Sequence, residues 1–145
     1  MTVRAIGFNH VAFEVDDLEA ALAWYGRFFA FELRGRAPGM AFIDLGDQFL
    51  ALSQGRTGAA DADRHVGLVV SDKEALRAEL AAAGEPVAAA GALRVRDPAG
   101  NQLEIVDYRD VQFTKAPAVL RGMGLEGLEK HESARAELAA KGMGA

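Results

Sequence analysis

The chain has 145 residues, half of them hydrophobic and 26% charged, with a formal net charge of -5 and no cysteine. That length suits one domain with its own core, and an acidic balance argues against nucleic acid as a partner, because phosphate binding wants a basic surface. Without cysteine there is no disulfide, thiolate metal site or cysteine nucleophile, so a bound metal must be held by imidazole and oxygen.

The first fifteen residues, MTVRAIGFNHVAFEV, show no apolar run of signal-peptide length and no small-residue cleavage pattern. No stretch approaches the roughly 18 apolar residues that span a bilayer, so a cytoplasmic protein without membrane contact is the expectation. Residues 8–15 alternate as a strand does. Asp16, with Glu19 three residues on, reads as a helix cap, and Leu18, Ala21, Leu22, Tyr25 and Phe29 then follow at helical spacing. Strand-like runs come next at 31–34, 40–45 and 48–53, broken by Pro38-Gly39 and Gly46-Asp47. Residues 55–63 are small and polar, as a linker should be.

The second half repeats the plan. Residues 65–70 read as a strand, and Ser71 with Glu74 as a capping box. A helix carrying Leu76, Leu80 and Ala83 stops at Gly84. Strands are expected at 86–88, 92–96 and 102–107, with a hairpin turn at 97–101. The tail ends in LEGLEKHESARAELAAK, a segment of high helix propensity with Leu125, Leu128 and Leu138 as a thin apolar stripe. His131, between Lys130 and Glu132, reads as part of a solvated helix face.

Residues 9–20, NHVAFEVDDLEA, and 64–75, RHVGLVVSDKEA, match at six of twelve positions with a constant offset of 55. The two halves are therefore copies of one module. The fold class expected is α+β: two βαβββ modules forming a cupped mixed sheet around a metal site, plus a C-terminal helical tail. In boundaries, this is one domain over 1–110, with modules at about 5–54 and 63–108, and an extension over 111–145.

The repeat also points to chemistry. A duplicated module packs against its twin about an approximate two-fold axis, which turns matched positions toward each other. A lone strand histidine is ordinarily a satisfied polar residue, but His10 and His65 match in the repeat. Glu104 follows in the last strand between Leu103 and Ile105. Two imidazoles and a carboxylate suit one divalent ion of Fe, Mn, Zn, Ni or Co, and leave coordination positions open for substrate. Arg94 and Arg96 share a strand face. Solvated outer-face residues are their ordinary reading, but on the cup face Arg94 would bind an anionic substrate group. Phe42 and Phe49 are candidates for an apolar wall, with core packing favoured for Phe42. Arg94 and Phe49 are the two substrate-binding candidates.

The segments NHVAFEVDDLEAALAWY, RHVGLVVSDKEAL and DPAGNQLEIVD resemble the vicinal oxygen chelate superfamily, which groups glyoxalase I, extradiol dioxygenases, fosfomycin-resistance thiol transferases and bleomycin-binding proteins; the resemblance covers roughly residues 6–107. It implies a cupped sheet around a metal held from the first and last strands of each module: His10, His65 and Glu104 here. The fourth position falls at Leu50 or Ala51, depending on alignment, and neither binds a metal. Glyoxalase I uses a carboxylate there as ligand and base, so that reaction is disfavoured. Extradiol dioxygenases use a further pocket histidine, and only His131 remains. Fosfomycin-resistance enzymes share the triad, and GMAFIDLGDQFLALS resembles their strands, but VAAAGA is shorter than their polar loop. Bleomycin-binding relatives lack the ligands. The function implied is a metal-dependent enzyme (lyase, isomerase, thiol transferase or dioxygenase) acting on a small, oxygen-rich, anionic substrate, with an antibiotic- or metabolite-binding resistance protein as the alternative. A homodimer is what the family implies.

Overall fold

The computed structural model describes residues 2–144, and its class is the α+β mixture expected. Strands β1 (His10–Val15), β2 (Leu33–Ala37), β3 (Met40–Asp44) and β4 (Phe49–Gln54) form one sheet in the order β1-β4-β3-β2. Strands β5 (Val66–Val70), β6 (Leu93–Arg96) and β7 (Gln102–Asp107) form a second, in the order β5-β7-β6. In each sheet the module's first strand runs parallel to its last, and the remaining pairs are antiparallel.

Helix α1 (Leu18–Phe28) buries Leu18, Ala21, Tyr25 and Phe28, one stripe at helical spacing. Helix α2 (Lys73–Ala82) buries Leu76, Leu80 and the stem of Arg77. The caps sit one residue later than the sequence suggests. Asp17, not Asp16, accepts from Ala20 N, and Asp72, not Ser71, accepts from Ala75 N, both at 3.0 Å. A second acceptor reaches each helix start from its own sheet: Gln54 Oε1 takes Leu18 N, and Asp107 Oδ2 takes Lys73 N, each at 3.0 Å. Helix α2 ends in a Schellman turn, with Glu85 N bonded to Leu80 O and Gly84 at φ +83, a value that favours glycine.

The second module departs from the expected plan. Among the described residues, 86–88 form no strand. Arg77 explains this: its guanidinium donates to Ala88 O at 2.7 Å and Gly91 O at 2.6 Å, satisfying carbonyls that a ladder would otherwise hold. The second module is thus βαββ. The tail also differs. A short helix α3 (Pro117–Gly122) appears, and the final helix α4 is confined to Glu132–Ala140. Gly124 and Gly127, both at positive φ, keep Leu125 and Leu128 outside it. His131 precedes α4 as its N-cap residue, with Nδ1 2.8 Å from Asp110 Oδ1.

Each sheet turns its α-helix face inward, and the two faces share one core that includes Phe13, Tyr25, Leu52, Leu80, Leu103 and Ile105. Burial of that kind contributes about 1.5–3 kcal/mol per large side chain. Polar contacts fix the two halves across it. Tyr25 Oη donates to Asp97 Oδ2 at 2.9 Å, and Trp24 Nε1 donates to Glu85 Oε1 at 3.0 Å. Asn101 Nδ2 donates to Glu14 O at 3.0 Å and to Asp97 Oδ2 at 2.8 Å. Burial, and then the charge of Asp97, push the Tyr25 hydroxyl far above its ordinary pKa. It therefore stays a donor.

Candidate metal centre

His65 lies just before β5, where its Nδ1 stands 2.9 Å from Asp63 O. A carbonyl oxygen only accepts, so Nδ1 carries a proton and Nε2 is the ring nitrogen left to face the site. That Nε2 stands 3.2 Å from Glu104 Oε2. The two lone pairs at this separation need a cation between them, either a proton or a metal ion. The spacing suits a metal: donors about 2.1 Å from one ion, 90–109° apart, stand roughly 3.0–3.4 Å from each other.

The strand register explains why Glu104 is available. It pairs with Gly67 on β5 and Arg94 on β6, while its neighbours Leu103 and Ile105 point into the core. Gly67 offers no side chain to cover it. Arg94 therefore lies on the Glu104 face, against its ordinary reading as an outer-face residue. Its Nη2 is 3.7 Å from Glu104 Oε2, with the side chain half exposed. Arg96 instead donates to Gly100 O at 3.2 Å, back into the hairpin turn.

His10 opens β1 and pairs in register with Phe49. Their rings stack with centroids 4.7 Å apart and planes 9° from parallel. His10 Nδ1 stands 2.9 Å from Asn9 Oδ1, which leaves Nε2 as the uncommitted ring nitrogen. Phe42 meets Phe49 edge-on at 5.8 Å, so it belongs to this wall and not to the core favoured for it. Arg34 Cζ stands 4.7 Å from the Phe49 centroid. The sequence reading missed Arg34, Asn9 and Asp63. Asn9 and Asp63 lie one and two residues before the two histidines, the natural reach for a ring-orienting acceptor.

The fourth position is resolved as Ala51. Glu104 pairs with Gly67, and the repeat equivalent of Gly67 is Ala12, which pairs with Ala51. Leu50 is a core residue.

The three candidate ligands do not converge in one chain. His65 and Glu104 meet, but among the described residues no group of three His, Asp or Glu side chains is placed to hold one ion. His10 and His65 instead border a cavity of about 480 Å³ between the edges of β1 and β5, its interior lined by Val11, Phe13, Leu68 and Leu103. The tail closes one side of it with Phe113, Lys115 and Met123. Lys115 Nζ reaches Leu45 O at 2.7 Å and also pairs with Asp47, lowering the Asp47 pKa. At Gly46, a Cβ would stand 2.6 Å from Met123 Sδ, so the tail packs directly on the β3–β4 turn.

Residues 7–105 match the model of the Glyoxalase/Bleomycin resistance protein/Dioxygenase superfamily. A glyoxalase family protein from Bacillus anthracis is similar in structure at 22% identity and TM-score 0.63, covering 74% of this chain and 98% of that one. Lactoylglutathione lyase from Agrobacterium tumefaciens aligns at 25% identity and TM-score 0.59, covering 72% and 96%. A genomically encoded fosfomycin resistance protein from Listeria monocytogenes aligns at 14% identity and TM-score 0.60, covering 72% and 94%. No curated protein matches at a significant level. Among the described residues no helix is long and apolar enough to cross a membrane.

Proposed function

The chain belongs to the Glyoxalase/Bleomycin resistance protein/Dioxygenase superfamily, and on that premise we propose that it is a metal-dependent enzyme acting on a small, oxygen-rich, anionic substrate. One divalent ion is held by His65, Glu104 and His10. The observation that carries this is the His65 Nε2–Glu104 Oε2 pair at 3.2 Å, with Nδ1 already committed to Asp63 O. When bound, the ion supplies Lewis-acid stabilisation of charge developing on substrate oxygens. Arg94, beside Glu104, pairs with the substrate's negative charge, and Phe49 holds the His10 ring and offers an apolar surface.

His10 reaches the pair from a second copy of the chain. Within one chain Tyr25–Asp97, Trp24–Glu85 and Asn101–Glu14 fix the two sheets relative to each other, so His10 cannot approach by simple closure. Among the described residues the outer edges of β1 and β5 each lack a strand neighbour, as a two-fold dimer requires of surfaces that meet. In this reading, modules at about 5–54 and 63–108 form the catalytic domain, and residues 111–145 brace it.

Mixing two inactive variants tests the arrangement. His10→Ala and Glu104→Ala each fail to bind metal alone. Co-expressed, they form mixed dimers with one intact site, and metal binding returns. If mixing restores nothing while each variant still dimerises, His10 does not act across the interface.

A second reading, a resistance-type protein that sequesters a metabolite or antibiotic without turnover, is favoured by Ala51. That residue stands where a fourth ligand would also act as base.

A further inference from the structure

Arg34 is the unexplained charge on the first sheet. It lies over the Phe49 ring, on the face that carries His10. Among the described residues it has no ion-pair or hydrogen-bond partner, whereas nearby Arg36 is bound to Glu19. A guanidinium seated over an aromatic ring gains a cation–π contact that uses none of its N–H donors. Around it the surface is apolar: Phe42 stands edge-on to Phe49, and Ala51 pairs with Phe42 in register. Ala51, 3% exposed beneath these rings, adds no charge to the wall that carries this cation.

We propose that Arg34 is an anion-binding residue, holding a carboxylate or comparable oxyanion of a molecule whose flat apolar body lies against the Phe42–Phe49 wall. This names the substrate class of the site proposed above and rests on that reading, since the same wall presents His10. Two features are required together. The ring surface selects an aromatic or similarly flat body, and Arg34 selects the charge through paired, charge-assisted hydrogen bonds. An uncharged analogue of equal shape keeps only the first.

Benzoate and benzamide are the probes, because they share the ring and differ in charge, and neither needs a metal to bind here. Titration calorimetry is run on wild type, Arg34→Gln, Arg34→Lys and Phe49→Leu, in metal-loaded and chelator-treated protein. Wild type binds benzoate more tightly than benzamide in both forms. Arg34→Gln weakens benzoate about tenfold or more and leaves benzamide unchanged. Arg34→Lys recovers only part of the loss, and Phe49→Leu weakens both probes. Arg34 lies on the surface, so circular dichroism of its variants matches wild type. Equal benzoate affinity in wild type and Arg34→Gln overturns the proposal, as does absence of benzoate binding to wild type. Loss of metal binding alone, with the benzoate difference intact, counts against the metal-centre reading and not against Arg34.

Discussion

Ala51 occupies in the first sheet the place that Glu104 holds in the second: each lies on the last strand of its module, paired with Ala12 and Gly67 at matching repeat positions. One half of the duplicated site thus carries a carboxylate and the other an alanine. Ala51 is 3% exposed, beneath the Phe42–Phe49 wall. Ala51→Glu should cost about 1–3 kcal/mol in metal-free protein, because the carboxylate is desolvated without a partner. Added metal should then raise the melting temperature more in the variant than in wild type. An equal shift in both would show that position 51 does not face the ion.

Arg94 places a positive charge beside Glu104. Its removal should strengthen metal binding, since a guanidinium 3.7 Å from the ligand oxygen opposes a second cation. Both side chains are partly solvated, which keeps the effect small. Arg94→Leu is expected to tighten metal affinity about 2- to 5-fold and to raise KM for an anionic substrate with little change in kcat. Unchanged metal affinity would place Arg94 outside the field of the site.

Asp107 ties three elements together. It accepts from Arg109 Nε and Nη2 at 2.8 and 2.7 Å and from the first N–H of α2. Hydrogen bonding from Arg109 holds its carboxyl well below the ordinary range, against the opposing pull of burial. A depressed folded-state pKa gives stability that is fully present above the unfolded value, near pH 4, and is lost as pH falls toward the folded value. Asp107→Asn should therefore cost about 1.5–3 kcal/mol at neutral pH and flatten the loss of stability below about pH 4. Urea titrations at several pH values check both effects. An acid slope equal to that of wild type would contradict the assignment.

Arg77 replaces a strand. Its guanidinium bonds Glu74, Ala88 O and Gly91 O from a nearly buried position. Arg77→Met keeps the stem but leaves two carbonyls without a donor. A loss of about 2–4 kcal/mol is expected, with faster amide exchange confined to residues 85–93. Global loosening without that local signature would mean that Arg77 acts only through packing.

Much of this was legible in the sequence, for definable reasons. β7 falls at 102–107 as expected because apolar alternation and the Asp97–Asn101 turn mark both its ends. Glu104 stands on the face opposite the core because Leu103 and Ile105 flank it. The caps shift by one because each helix is preceded by two capping residues, Asp16-Asp17 and Ser71-Asp72, and propensity cannot choose between neighbours. The missing strand at 86–88 depends on Arg77, a contact across ten residues or more that no local pattern encodes. Arg34 was hidden because a bulge between Leu33 and Gly35 resets which residues of β2 share a face. The separation of His10 from the His65–Glu104 pair lay furthest from view. A repeat identifies equivalent positions, but not whether they meet within one chain or between two.

The central claim is that His10, His65 and Glu104 hold one divalent ion, and metal content tests it most directly. Protein purified without chelator and reloaded with Mn, Fe, Co, Ni or Zn should retain one ion per chain after dialysis, measured by inductively coupled plasma mass spectrometry. His65→Ala, Glu104→Ala and His10→Ala should each lose it while keeping the fold. Retention of no metal by wild type, or full retention by all three variants, would contradict the account and leave the His65–Glu104 contact as a protonated ion pair.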